Sequence, residues 1–509
     1  MKKKKTFLIN TVILTVTALI LRAIGLFFRV YLSNIIGAEG MGLYQLIFSV
    51  YMLASTFATN GVSTAVTRLC ADEIVMGCKK SVFSVLKKSV KLSTVLGCLI
   101  NILVFAFSSP IATIFIGDAR AIPALKILSF SLVPMGVSAC FKGYFTARRK
   151  ALQPSIASIF EQTVRMAVVF FLLAHFAKSG LETACFAVLA ADTIAETASC
   201  VFIAISFKFD RKNVASNGRK AGFCKHISKE IVRISLPITA GKYLTSLLLT
   251  VENLIVPKSL SRFSGSKASG LETFGLIKGM ALPIIFFPAS FLLSVSALLI
   301  PEISSLAVTN DYEAIKKDVS RVLNITILGS VLAAGCFFLC ADKIGKTLYD
   351  SEQCGVLIST LSPVIPLMYI ESVTVGILKG LDKQKSTFIY SVFDSTIRII
   401  AVVTVVPFFG IDGFLGVMYF SNIFTCSLNF IKLLRVTNIK FQTLNWFLKP
   451  LLAVACAIIF AKRICEVVTN DLAYIIISCA IITLIYLVFL IITKAINFKN
   501  VEQIIPSKN

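Results

Sequence analysis

The chain has 509 residues, of which 56% are hydrophobic and only 15% charged, against about 25% charged in ordinary soluble domains. A soluble protein could not hide so much apolar surface, and the longest polar stretch, residues 208–229, is too short to be a separate catalytic domain. The net charge of +25 would suggest nucleic acid on a soluble chain, but cytoplasmic loops of membrane proteins collect bases in the same way.

Lys2 to Lys5 precede an apolar run that continues past Ile36 without a small-residue cleavage site. The start therefore reads as a membrane helix with a cytoplasmic N-terminus, not as a signal peptide. A span needs about 20 mainly apolar residues. Runs of that kind lie near 6–32, 43–70, 90–108, 122–146, 154–176 and 182–207. After the basic segment they resume near 231–257, 274–300, 320–340, 355–379, 387–409 and 412–434, with two more near 447–464 and 472–495. The expectation is an all-α integral membrane protein of about fourteen helices. Starting inside, the cytoplasmic segments collect 33 of the 51 Lys and Arg residues and the outer segments 10. That bias predicts both termini in the cytoplasm and accounts for the basic balance without nucleic acid.

The 14 cysteines run from Cys70 to Cys479, mostly inside apolar stretches. Cys336 and Cys340 are one turn apart, but neither further cysteines nor His175 and His226 complete a metal set. No metal or cofactor is expected. No phosphate-binding loop, zinc-protease helix or nucleophilic triad appears, so the chain is not expected to be an enzyme or to drive transport with ATP by itself.

An internal repeat is expected at an offset of 233. Arg29, Gly37, Glu39, Gly42 and Leu43 match Arg262, Gly270, Glu272, Gly275 and Leu276; further on, Gly143, Glu161 and Arg165 match Gly376, Asp394 and Arg398. Six helices per repeat, an even number, would give two bundles of parallel orientation facing a cavity. The organisation expected is a first bundle over 1–207, a basic cytoplasmic linker over 208–230, a second bundle over 231–440, and two additional helices with a cytoplasmic tail over 441–509.

Charges within spans are the candidate functional residues, because each costs about 2.5–3.5 kcal/mol at the bilayer centre on insertion scales. Arg22 and Arg29, seven apart, share one face of the first helix within about 20°. They read either as partners of acids on other helices or as forked phosphate donors facing the cavity. Lys278 stands between Gly275 and Gly279, which leave room for a bulky ligand or for close helix packing. Glu161 with Arg165, and Asp394 with Arg398, have the spacing of self-neutralising structural ion pairs. Asp192 and Glu196 share a face of the sixth helix with no base within a turn, and Thr425 and Asn429 stand at their repeat positions. They could bind a coupling cation, share a proton, or pair with Arg22.

The run from Leu21 through Arg22, Gly25, Arg29, Gly37, Glu39, Gly40 and Gly42 to Gln45 resembles the stage V sporulation protein B family. The segment Thr59-Asn60-Gly61-Val62-Ser63-Thr64-Ala65-Val66 is similar to the end of that family's second helix. The family belongs with polysaccharide exporters and lipid II flippases in the multidrug, oligosaccharidyl-lipid and polysaccharide exporter superfamily. The resemblance implies that fold in a bacterial cytoplasmic membrane, and flipping of an undecaprenyl-pyrophosphate-linked sugar for spore cortex peptidoglycan. Membrane lipids and a glycan polymerase or transpeptidase are the partners it suggests. It also implies substrate binding by Arg22, which matches an Arg-x-x-Gly pattern, by Arg29, one residue off a second arginine, and by Lys278, in place of an eighth-helix arginine. A second-helix arginine of the flippases is replaced here by Ser55 or Thr56. The alternatives are an ion-coupled multidrug exporter of the same fold, which would need Asp192 and Glu196, and a non-transporting accessory subunit of glycan assembly.

Overall fold

The structure is a computed structural model that describes residues 2–76, 79–176, 180–214, 227–309, 311–439 and 444–493. Residues 215–226 of the expected linker and the tail 494–509 lie outside the described residues. Every regular element among the described residues is helical. Twelve helices are long and apolar enough to cross a membrane, or thirteen when the bent pair Ala121–Ser129 and Leu132–Ala147 is one span. The protein is a multi-pass membrane protein.

The first helix, α1 (Lys2–Val75), has 74 residues. At 1.5 Å per residue it would run to roughly 110 Å, more than three times a hydrocarbon core of about 30 Å. It is broken at Gly37, where φ is 68° and ψ −177°, a region open essentially to glycine alone. Divided there, α1 gives two stretches of about 52 Å and 57 Å, each enough for one span with ends that reach beyond the hydrocarbon core. A Cβ on Gly37 would meet nothing within 4 Å, so the requirement is conformational and not steric. Gly37→Ala is expected to cost about 1–3 kcal/mol and to lower the thermal unfolding midpoint of the purified chain in detergent. An unchanged midpoint would show that the break tolerates a side chain.

The first compact unit, Met1–Gly275, continues with α2 (Lys79–Ala106), α3 (Ala121–Ser129), α4 (Leu132–Ala147), α5 (Leu152–Phe176), α6 (Leu181–Val214), α7 (Ile227–Ser264) and α8 (Lys267–Phe274). The sequence puts the domain break in 208–230; the packing puts it after Gly275. Small residues are the reason, since they let α7 and α8 lie directly on α1. A Cβ on Gly61 would come within 2.6 Å of the Ser235 carbonyl and would collide with the Thr239 hydroxyl. One on Gly42 would collide with the Leu271 carbonyl, and one on Gly275 would stand 2.7 Å from the Gly42 amide. Along the same seam Asn253 Nδ2 donates to Ser49 Oγ at 3.0 Å, Thr250 Oγ1 donates to the Ser49 carbonyl at 3.1 Å, and the Phe57 and Tyr243 rings lie 4.2 Å apart.

A buried cluster around Val66, Val85, Tyr144, Phe145 and Ile203 closes one end of this unit. At the same end Asp210 is buried and accepts hydrogen bonds from Tyr144 Oη at 2.8 Å, from Lys150 Nζ at 2.5 Å and from Arg148. Asn10 Nδ2 donates to the Arg149 carbonyl at 2.6 Å, so this turn ties together α1, α4 and α6.

The second unit, Leu276–Asn509, opens with the π-helical segment Gly275–Ala281, whose first residue still belongs to the first unit. It continues through a short turn at Leu282–Phe286 into α9 (Ala289–Val308), α10 (Tyr312–Tyr349), α11 (Glu352–Leu361), α12 (Ile365–Gly380), α13 (Gln384–Thr404), α14 (Val406–Thr437), α15 (Lys449–Cys465) and α16 (Asp471–Ile492). Its core gathers on α10 through Val319, Leu323, Ile327 and Val331. The last two spans are part of that core: Tyr486 Oη donates to the Leu328 carbonyl at 3.0 Å, and Gly335 faces Val454 of α15. Phe171, Phe408 and Leu484 remain 72%, 76% and 66% exposed. Such surfaces suit lipid contact and not water.

Candidate functional site

Arg22 and Arg29 both precede the break in α1; Arg22 is exposed and Arg29 half-buried. At 1.5 Å per residue they stand about 22 Å and 12 Å from Gly37, which puts Arg29 near the middle of a layer about 30 Å thick that starts at Gly37, and Arg22 nearer its far side. Neither forms an ion pair among the described residues. An exposed guanidinium at that depth needs a polar cavity or an anionic partner. Lys278 is half-buried in the π-helical segment Gly275–Ala281 of the second unit. A π turn widens the helix and loosens its hydrogen bonding. Here Tyr349 Oη donates to the Met280 carbonyl at 3.2 Å and Tyr369 Oη donates to the Ile285 carbonyl. The geometry thus brings Arg22 and Arg29 onto one helix of the first unit, with Lys278 in the other.

A second set of charges is built inside the first unit across three helices. Lys142 Nζ of α4 lies 3.3 Å from Glu161 Oε2 of α5. Glu161 Oε1 lies 3.3 Å from the Arg165 guanidinium one turn on. Arg165 Nε lies 2.6 Å from Asp192 Oδ1 of α6, and Arg165 also donates to Gln162 Oε1 at 3.0 Å. The i,i+4 pair that the spacing suggests is present, but the shorter contact of Arg165 crosses to the next helix. Asp192 therefore pairs with Arg165, and not with Arg22. Its Oδ2 is buried without a hydrogen-bond partner among the described residues. Glu196, one turn along, is also buried and forms no ion pair among the described residues. Three acids face two bases, so with all groups ionised the cluster has room for one more positive charge. A proton or a monovalent cation would balance it.

The second unit holds a smaller version. Asp394 Oδ2 lies 3.3 Å from Arg398 Nε, and Ser421 Oγ donates to Asp394 Oδ1 at 2.7 Å. Thr425 and Asn429 stay on the helix, with Asn429 Nδ2 donating to the Thr425 carbonyl at 3.0 Å. Glu371 of α12 lies beside Thr425 and Asp394. Sequence reasoning passed over Lys142 and Glu371. The available signal was the same for both: a lone charge inside an otherwise apolar run.

Three comparisons bear on these features. The family described as "Polysaccharide biosynthesis protein" matches residues 7–307. Stage V sporulation protein B of Bacillus subtilis (strain 168) is 23% identical over 417 residues, covering 81% of this chain and 80% of its own length. Among solved structures, the lipid II flippase MurJ in an inward closed conformation superposes with a TM-score of 0.72 at 16% identity, covering 93% of this chain and 97% of that one. An inward-facing multidrug resistance MATE family transporter of the MOP superfamily gives 0.64 at 15% identity, covering 83% and 98%. These likenesses give the fold.

Proposed function

This chain belongs to the polysaccharide biosynthesis protein family, and from that premise we propose that it is a flippase for an undecaprenyl-pyrophosphate-linked sugar. The observation that carries the proposal is the pair Arg22 and Arg29 on one apolar stretch of α1, without acid partners among the described residues. Two planar guanidinium groups suit a pyrophosphate, which offers several oxygens to forked donors. The family match and the likeness to a lipid II flippase support the same reading, and the relative named for sporulation supports our choice of spore cortex precursors as the substrate.

In this reading the lipid enters sideways from the cytoplasmic leaflet. Its pyrophosphate is held by Arg22 and Arg29, and the tail stays in lipid; Lys278 of the second unit is a further candidate base. Alternating access then moves the anion outward. An inside-negative potential favours that direction by about 2.3 kcal/mol per charge per 100 mV. A glycan polymerase or transpeptidase would receive the product outside.

A second reading, an ion-coupled multidrug exporter, draws on the cluster with a surplus acid around Asp192 and Glu196 and on the likeness to a MATE transporter. One assay separates the two. Proteoliposomes holding the purified chain should carry a fluorescent undecaprenyl-pyrophosphate-linked sugar between leaflets, faster than empty liposomes and faster with an inside-negative potential. Export of a cationic dye under a proton or sodium gradient, with no movement of the lipid, would establish the exporter instead.

A further inference from the structure

The end of the first unit that carries Gly37 holds a cavity of about 710 Å³. That volume is in the range of small-ligand pockets, about 300–1,000 Å³. It is built by residues 116–120, which lead into α3, and by residues 257–271, the end of α7 and the start of α8, with Leu46 of α1. Four bases line it, Arg120, Lys258, Arg262 and Lys267, against the single acid Asp118. By the sequence count only 10 of 51 bases lie on that side of the membrane, so four of the ten gather at one cavity.

The acids nearby are already engaged. Arg120 Nη2 lies 2.6 Å from Asp118 Oδ2 and 2.6 Å from Glu39 Oε1, and the Arg120 amide also donates to Asp118 Oδ1 at 2.9 Å. Burial raises the Asp118 carboxyl, but the hydrogen bonds from Arg120 outweigh it and hold the group below the usual carboxylate range. Asp118 thus stays ionised and committed to Arg120. Lys258 Nζ donates to the Ile114 carbonyl at 2.8 Å, which points its ammonium at the mouth of the neighbouring π-helical segment Ile111–Ile116. Arg262 and Lys267 are exposed and form no ion pair among the described residues. The α8 helix also starts here, capped by Ser266, whose side chain accepts from the Ser269 amide; its first free amides add positive potential.

We propose that this cavity is a binding site for a phosphate-bearing anion, held by Arg262, Lys267 and Lys258. A lone carboxylate would leave most of the positive charge unanswered, whereas a pyrophosphate or a phosphodiester headgroup presents several oxygens to forked and point-charge donors at once. The assignment rests on the cavity alone and does not depend on the transport reading. A soluble phosphate and a lipid headgroup share this chemistry, and two arms tell them apart. In the first, inorganic pyrophosphate is titrated by calorimetry into the full chain in detergent. In the second, the chain in nanodiscs is offered phosphatidylglycerol and phosphatidylcholine, and retained lipid is counted by native mass spectrometry.

The variant Arg262→Gln/Lys267→Gln removes two exposed bases that form no ion pair among the described residues, so its melting temperature should match the parent. Ala268→Glu places an acid at the cavity wall and removes nothing. Both should weaken one probe at least tenfold, while Lys462→Gln, at an exposed base of the second unit, leaves that probe unchanged. Loss of pyrophosphate binding identifies a soluble phosphate, and loss of phosphatidylglycerol retention identifies a lipid headgroup. The proposal is overturned if neither probe binds the parent, or if neither cavity variant weakens the probe that binds; either result would leave the transport reading standing.

Discussion

Arg22→Ala is expected to abolish movement of the lipid-linked sugar, lowering the rate in proteoliposomes at least a hundredfold, while the variant inserts and melts like the parent. The reasoning is local. The side chain is exposed and holds no ion pair among the described residues, so its removal leaves no buried acid behind. What is lost is a charge-assisted donor to the pyrophosphate in a low-dielectric setting, where each such contact is strong. Arg22→Lys should recover part of the rate, since the charge returns without the fork. Full activity in Arg22→Ala would remove the phosphate assignment, whatever the fold.

The second large effect concerns stability. Arg165→Met should destabilise the first unit by about 3–5 kcal/mol, because it strands a buried acid that Arg165 now neutralises. Asp192 lies 2.6 Å from Arg165 Nε, and Glu161 lies 3.3 Å from the same guanidinium. Asp192→Asn alone should cost less, since the amide keeps a polar contact and Glu161 still pairs with Arg165. Combined, Arg165→Met and Asp192→Asn should melt higher than Arg165→Met alone, with a coupling of about 0.5–3 kcal/mol. A coupling near zero would mean that the cross-helix contact contributes nothing beyond the pair within α5.

These two residues also show what the sequence could and could not tell. Spans were legible because hydropathy is a one-dimensional property, and the break at Gly37 falls between two apolar runs read from the sequence alone. The pairing of Arg165 was not legible. Helical spacing pointed to Glu161, four residues away, and nothing in the sequence says that α6 brings Asp192 alongside. Lys142 was overlooked for the same reason, as its partner Glu161 is 19 residues away on the next helix. The packing of α7 and α8 on α1 was not legible either, because it follows Gly42, Gly61 and Gly275, where bare backbone admits another helix. Arg120, Lys258, Arg262 and Lys267 were visible only as outer-loop bases. That they close around one cavity is a property of the folded chain.

The Asp210 turn has a consequence for how the chain is made. Arg148 and Lys150 count toward the 33 bases that favour a cytoplasmic location for their loops during insertion, when a nascent chain is sorted by its unfolded charges. Once α6 is in place, both are held by the buried Asp210. On the orientation that the charge count predicts, the same two side chains would serve first as a transient address label and then as a permanent clasp. Asp210→Asn separates the roles in time: it leaves the label intact, so topology should be kept, and it opens the clasp afterwards.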